Sequence, residues 1–294
     1  MDWGKARAIL IFAFALMNAF LAYRIWVEPG PYAASASQAT EQEVRAVVEK
    51  LAERGLVVEA RLPLRNLPMP ILEVSPRRPQ PLAMLAAFTA ELAGPGPLTE
   101  EVSPGVHAYR RGEAVLSLVS SGAWSFRRPR LEPDQERSDG IWSLAEARRV
   151  AEEFLKSHGG LPADARLDLA LALPAQGLYR IEFVQVYQGW PMFMGRFRVG
   201  VGYWGVELAE GIWVNGQGFR GERKPVVSAA EALRRWADLI PAGEEVTVKE
   251  VSLGYFTPAY DSDLWQAVPV WRIRAVDGRS WLLNAWTGQL ERSN

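Results

Sequence analysis

Residues 268–286 read VPVWRIRAVDGRSWLLNAW, and they decide how the chain folds. Trp271, Ile273 and Ala275 alternate onto one face, the period of a half-buried strand. Asp277-Gly278 then predicts a tight type I′ turn that joins VPVWRIRAV to RSWLLNAW as an antiparallel hairpin. A hairpin alone buries too little apolar surface to stand in water, so it needs a partner element.

That partner lies just upstream. Ser228-Ala-Ala-Glu231-Ala is a capping box that opens an amphipathic helix, and Ser143-Leu-Ala-Glu146-Ala repeats it at four of five positions. Tyr179-Arg180-Ile181 in the first copy corresponds to Trp271-Arg272-Ile273 in the second. Each copy, about 141–222 and 226–294, is therefore expected to be one helix packed on an antiparallel sheet, the two stacking into a single domain over 141–294.

Ahead of the repeat, Thr40-x-x-Glu43 opens a helix whose Val44, Val47, Val48 and Leu51 share a face, and Gly55 ends it. Residues 56–62 and 70–74 are strand-like, 81–92 form a second helix, and 106–125 carry two or three strands that turn near Arg111-Gly112 and Ser121-Gly122. Together they make a first α+β domain over 39–128. Residues 129–140, polar and proline-containing, read as a linker, with Arg127, Arg128 and Arg130 solvated beside it.

From Ala8 to Tyr23 the chain carries no charge, and with its flanks it reaches the ~20 residues that cross a bilayer. Trp3 and Trp26 bracket the run, and Lys5 and Arg7 precede it, which keeps the N-terminus cytoplasmic. The expected order is a cytoplasmic tail (1–7), a transmembrane helix (8–27), a stalk (28–38) and two extracellular domains. A signal peptide cleaved at Ala34-Ser35-Ala36 is the competing reading, set against by the distance of that site from the apolar run. Within the run, Ala15, Asn18, Ala19 and Ala22 form a small-residue stripe suited to pairing with another membrane helix. The fold class is thus α+β, with antiparallel sheets and packed helices behind a membrane anchor.

Hydrophobic residues at 49% and charged residues at 23% are ordinary for a folded chain. A net charge of −1 disfavours nucleic acid, and the lack of cysteine excludes disulfides, thiolate nucleophiles and cysteine-ligated metals. His107 and His158 stand in no metal or nucleophile pattern, and Asp261-Ser-Asp263 is read as a polar loop between strands. No catalytic residue, cofactor or metal ligand is assigned. Of the twelve tryptophans, Trp213, Trp236, Trp271 and Trp281 fall on apolar faces, while Trp190 and Trp265, in turn and loop contexts, are read as exposed interface anchors.

The opening MDWGKARAILIFAFALMNAFLAY resembles the start of YycI proteins, and LGYF at 253–256, PVWRI at 269–273 and LLNAWTGQLE at 282–291 resemble the family's C-terminal signature. QVYQGWPMF at 185–193 is similar to its Gln-x-Tyr-x-Gly-x-Pro element. The resemblance implies a single-pass, non-enzymatic membrane protein that modulates a WalK (YycG)-like sensor histidine kinase controlling cell-wall metabolism. Its contacts would be the kinase and the lipid bilayer through the membrane helix, and a YycH-like partner through the extracellular domains. Some of the same elements occur in PepSY-like modules and protease propeptides. On that resemblance the repeat is PepSY-like, and the alternative function is an inhibitor or propeptide-like chaperone of an exported peptidase.

Overall fold

The computed structural model describes Ile11, residues 14–18 and residues 40–293, the last apart from 65–66, 93, 130–142, 204 and 259–261. The principal helices among the described residues are α1 (Glu41–Ala52), α2 (Pro81–Phe88), α3 (Leu144–Ser157) and α4 (Ala229–Ala237). The strands of the N-terminal half are β1 (Leu56–Val58), β2 (Met69–Pro76), β3 (Thr99–Ser103), β4 (Val106–Arg111), β5 (Ala114–Val119) and β6 (Trp124–Arg127). Those of the C-terminal half are β7 (Ala165–Leu173), β8 (Leu178–Tyr187), β9 (Trp190–Gly202), β10 (Gly205–Ile212), β11 (Val214–Lys224), β12 (Val246–Phe256), β13 (Trp265–Ala275), β14 (Ser280–Asn284) and β15 (Leu290–Ser293).

Both copies of the repeat are one helix followed by four antiparallel strands: α3 with β7–β10 and α4 with β12–β15. The copies differ at their caps. Ser143 and Glu146 make both bonds of the capping box, as Thr40 and Glu43 do at α1. At α4 the Ser228 hydroxyl accepts from the Glu231 N–H at 3.1 Å, whereas the Glu231 carboxylate turns outward to Arg234 and Arg235. That competition leaves α4 with half the expected box.

The two-domain arrangement expected from the sequence does not hold. The fold is 48% strand and 22% helix, and among the described residues fifteen strands join in one mixed sheet. β1 runs parallel to β12, and β12 meets β9 in parallel at Tyr255 and Met192. The decisive element is β2, which lies between β11 and β13 and is antiparallel to both. Its residues MPILEVSP are buried or half-buried throughout, so it needs neighbours on both edges and cover on both faces, which a separate N-terminal domain would not supply. Nor does the structure show the expected N-terminal transmembrane helix: among the described residues no helix is long and apolar enough to cross a membrane. Most of residues 8–27, Ala19 and Ala22 included, and most of the 129–140 linker lie outside the described residues.

Two hydrophobic cores result, each drawing on both halves of the chain. One gathers Leu51, Leu56, Leu72 and Val74 with Trp236, Trp265, Trp271 and Trp281, roofed by α1 and α4. The other gathers Phe88, Leu116 and Phe126 with Phe154, Ile181, Phe197 and Val199. Strand β9 serves both, giving Met192–Met194 to the first and Phe197, Val199 and Val201 to the second.

The changeover is a break in register, with Val184 opposite Arg196 but Gln185 opposite Met192. Gln185 holds that break. Its buried amide donates to Asp164 at 2.8 Å and to the Val214 carbonyl at 2.7 Å, and its oxygen accepts the Val214 N–H at 3.2 Å. A Cβ at Gly195 would sit 2.3 Å from that oxygen, so glycine alone fits there.

Candidate functional site

Residues that carry the family resemblance turn out to hold the fold. Besides Gln185, Tyr187 packs its ring where a Cβ on Gly216 would stand, and Gln188 and Gly189 both have positive φ, as a type I′ hairpin requires. The type I′ turn expected at Asp277-Gly278 is not formed there. Only Gly278 of that pair has positive φ, and Asp277 accepts the Arg279 N–H at 2.9 Å, giving a three-residue loop. Asn284 caps the 284–288 turn by accepting from the Trp286 and Thr287 N–H groups at 2.9 and 3.1 Å. Trp271 donates from its indole to the Val227 carbonyl at 3.0 Å, tying β13 to the start of α4.

One face of each repeat carries charge. On β8 and β9, Ile181, Phe183, Phe197 and Val199 point into the second core, so Arg180, Glu182, Arg196 and Arg198 project from the opposite face. Trp271 and Ile273 likewise enter the first core and leave Arg272 and Arg274 on the other side. Where these faces meet, Arg272 grips Asp168 of β7 through two 2.7 Å bonds and donates to Glu250 at 2.7 Å. Arg274 bonds Asp168 at 2.9 Å and also Glu250. Arg198 bonds Glu182 at 2.7 Å and Glu210 at 2.9 Å, and Arg180 donates to the Gly278 carbonyl at 3.1 Å. Arg180 and Arg272, matched in the repeat, thus enter the same layer from opposite sides.

Bidentate, charge-assisted bonds of this kind are strong, and a buried charge that lost its partner would be costly. Arg272 is 8% exposed, with the Phe193 ring 4.3 Å from its guanidinium carbon. Burial pushes the Glu250 carboxyl up, yet Arg272 and Arg274 outweigh it and hold the group below the usual carboxylate range. The carboxylate stays ionised. Inside the layer is a cavity of about 110 Å³, lined by Arg180, Arg196, Arg198, Arg272, Arg274 and Arg279 together with Asp168, Glu182 and Asp277.

The residues singled out in the sequence fall elsewhere. Trp265 is not exposed: it is 2% accessible in the first core, because β2 covers it in the register Trp265 to Val74. Trp190 is half-buried on the same core, with its ring centroid 6.4 Å from that of Tyr255. The two share a core but no common surface site. Ala15 and Asn18 lie in a short helical stretch, where the Asn18 amide donates to the Phe14 carbonyl at 2.8 Å.

Arg128 is not merely solvated, since it bonds the Val206 carbonyl and Glu91, both at 2.6 Å. His158 is buried beside Phe154, with Nδ1 2.7 Å from that residue's carbonyl oxygen, and His107 is 3.7 Å from Glu100. Asp263 pairs with Arg78 at 2.8 Å, and Asp261 lies outside the described residues. No group of three metal-ligating side chains occurs among the described residues.

The arginine layer is not legible in the sequence because its residues come from six strands, β7–β10, β12 and β13. The one available signal was arginine at the same place in both repeats.

Neither a family model nor a curated protein sequence matches this chain. Among solved structures, an uncharacterized protein from Eubacterium rectale is similar at 10% identity and a TM-score of 0.49, over 87% of this chain and 99% of that one.

Proposed function

We propose that this protein is a non-enzymatic regulator at the cell membrane, acting on a sensor histidine kinase of a two-component system that controls cell-wall metabolism, together with a YycH-like partner. The observation that carries the non-enzymatic part is the state of the cleft between the repeats. Its carboxylates are tied to arginines, and Glu250 is held ionised, whereas a general acid working near neutrality needs its pKa raised. Such a cleft suits binding or structural coupling. The regulatory part rests on the YycI-like segments at both ends and in the middle of the chain. Edge strand β3, exposed at all five residues and with no strand on its outer side among the described residues, offers the partner a row of backbone donors and acceptors.

Co-purification of the full-length chain with the kinase tests this, using the wild type and a variant with Ala15→Leu, Asn18→Leu and Ala19→Leu. Association in the wild type and at least ~10-fold less in the variant is the expected result, because bulky residues on a small-residue stripe prevent close helix approach. Equal recovery of the kinase with both would remove the role assigned to residues 8–27. Inhibition of an exported peptidase, with no kinase recovered, would favour the inhibitor reading instead.

A further inference from the structure

Arg196 stands apart in the charged layer. Arg180, Arg198, Arg272, Arg274 and Arg279 each meet a carboxylate within 4.0 Å. Arg196, on β9 between them, has no hydrogen-bond acceptor or ion-pair partner among the described residues, although it lines the cavity. Net charge does not single it out, because Asp168, Glu182, Glu210, Glu244, Glu250 and Asp277 balance the six lining arginines. What is missing is an acceptor.

Two further unbonded donors belong to lining arginines but are closed to a water-sized void. The Nε–H groups of Arg180 and Arg272 are buried without a hydrogen-bond partner, the first lying 3.3 Å from Glu182 but poorly aligned with it. An arginine that lines a void and has no acceptor leaves a place for one. Burial, with Arg292 and Arg198 nearby, brings the Arg196 pKa down to about 10 against the pull of Glu182 and Glu210. An added negative charge would relieve that strain.

We propose that the cavity between the two repeats binds an oxyanion, a phosphate or a carboxylate group, with Arg196 as its principal donor. A planar guanidinium fork matches both anions. Arg196 also borders a second cavity of about 250 Å³ lined by Val119, Ala123, Ser125, Glu210, Gly211 and Ile212, which leaves room for the molecule that carries the anion. This inference stands apart from the regulatory reading and needs no kinase.

The test titrates the full-length chain with inorganic phosphate and, separately, with acetate, against chloride at equal ionic strength, and follows binding by calorimetry. A response to phosphate or acetate beyond that to chloride is expected, and the tighter of the two names the carried group. Arg196→Gln is expected to weaken it at least ~10-fold, and Arg196→Lys, which keeps the charge but loses the fork, to weaken it less. Because Arg196 has no hydrogen bond or ion pair to lose among the described residues, and its burial and arginine neighbours outweigh the pull of Glu182 and Glu210, Arg196→Gln should melt no lower than wild type without anion. Equal binding by wild type and Arg196→Gln, or a response no greater than to chloride, would overturn the proposal. So would a lower melting temperature of anion-free Arg196→Gln, since that means Arg196 is already paired.

Discussion

Arg272 fastens one repeat to the other, and its replacement separates their contributions. Arg272→Met leaves Asp168 and Glu250 buried with Arg274 as their shared counter-charge. A loss of ~2–4 kcal/mol is expected in urea unfolding, somewhat under the ~3–5 kcal/mol of a buried pair left with no partner. Adding Asp168→Asn to it should recover part of that loss. No recovery would mean that Asp168 carries no buried charge worth neutralising. Which residues would be buried was partly legible: Trp236, Trp271 and Trp281 sit on the apolar faces their periodicity marks. Trp265 was not, because its local surroundings, Asp-Leu-Trp-Gln, are polar while its cover comes from a strand almost two hundred residues earlier in the chain. Local polarity reports exposure only where nothing distant is laid on top.

Helix starts were written openly in the sequence because a cap is a local device, a side chain and an amide three residues apart. All three serine and threonine caps form at the positions marked, Thr40, Ser143 and Ser228. How completely each cap closes depends on which other groups compete for the glutamate, and Arg234 and Arg235 win Glu231 at α4. The hydroxyl of Ser228 therefore caps alone, in a buried setting. Ser228→Ala is expected to cost ~1–2 kcal/mol in thermal or urea unfolding. An effect under ~0.5 kcal/mol would mean that tertiary contacts already satisfy the first turn. Turns were less legible. Asp277-Gly278 carries the strongest dipeptide signal for a type I′ turn, yet the geometry occurs at Gln188-Gly189, since the Asp277 side chain bonds Arg279 and favours a longer loop.

For the molecule as a whole, the repeat was legible and the interleaving was not, because strand partners far apart in sequence leave no local mark. Residues 141–294, read as a domain of their own, lack the strand that fills the space between β11 and β13. That fragment should unfold broadly and without a cooperative transition by circular dichroism, exposing Val214 and Trp265. Supplying residues 40–128 in trans should sharpen the transition. A sharp, unaided melt of 141–294 would show that β2 is an accessory strand.

The place of β2 also sets a timetable. Met69–Pro76 leaves the ribosome almost two hundred residues ahead of its partner across Trp265–Ala267. At ~5–20 residues per second the strand waits roughly 10 to 40 seconds with its apolar side chains uncovered. During that interval another copy, or any extended apolar segment, competes for both of its edges. The price of pairing strands so far apart in sequence is a newborn protein that depends on protection until β13 arrives.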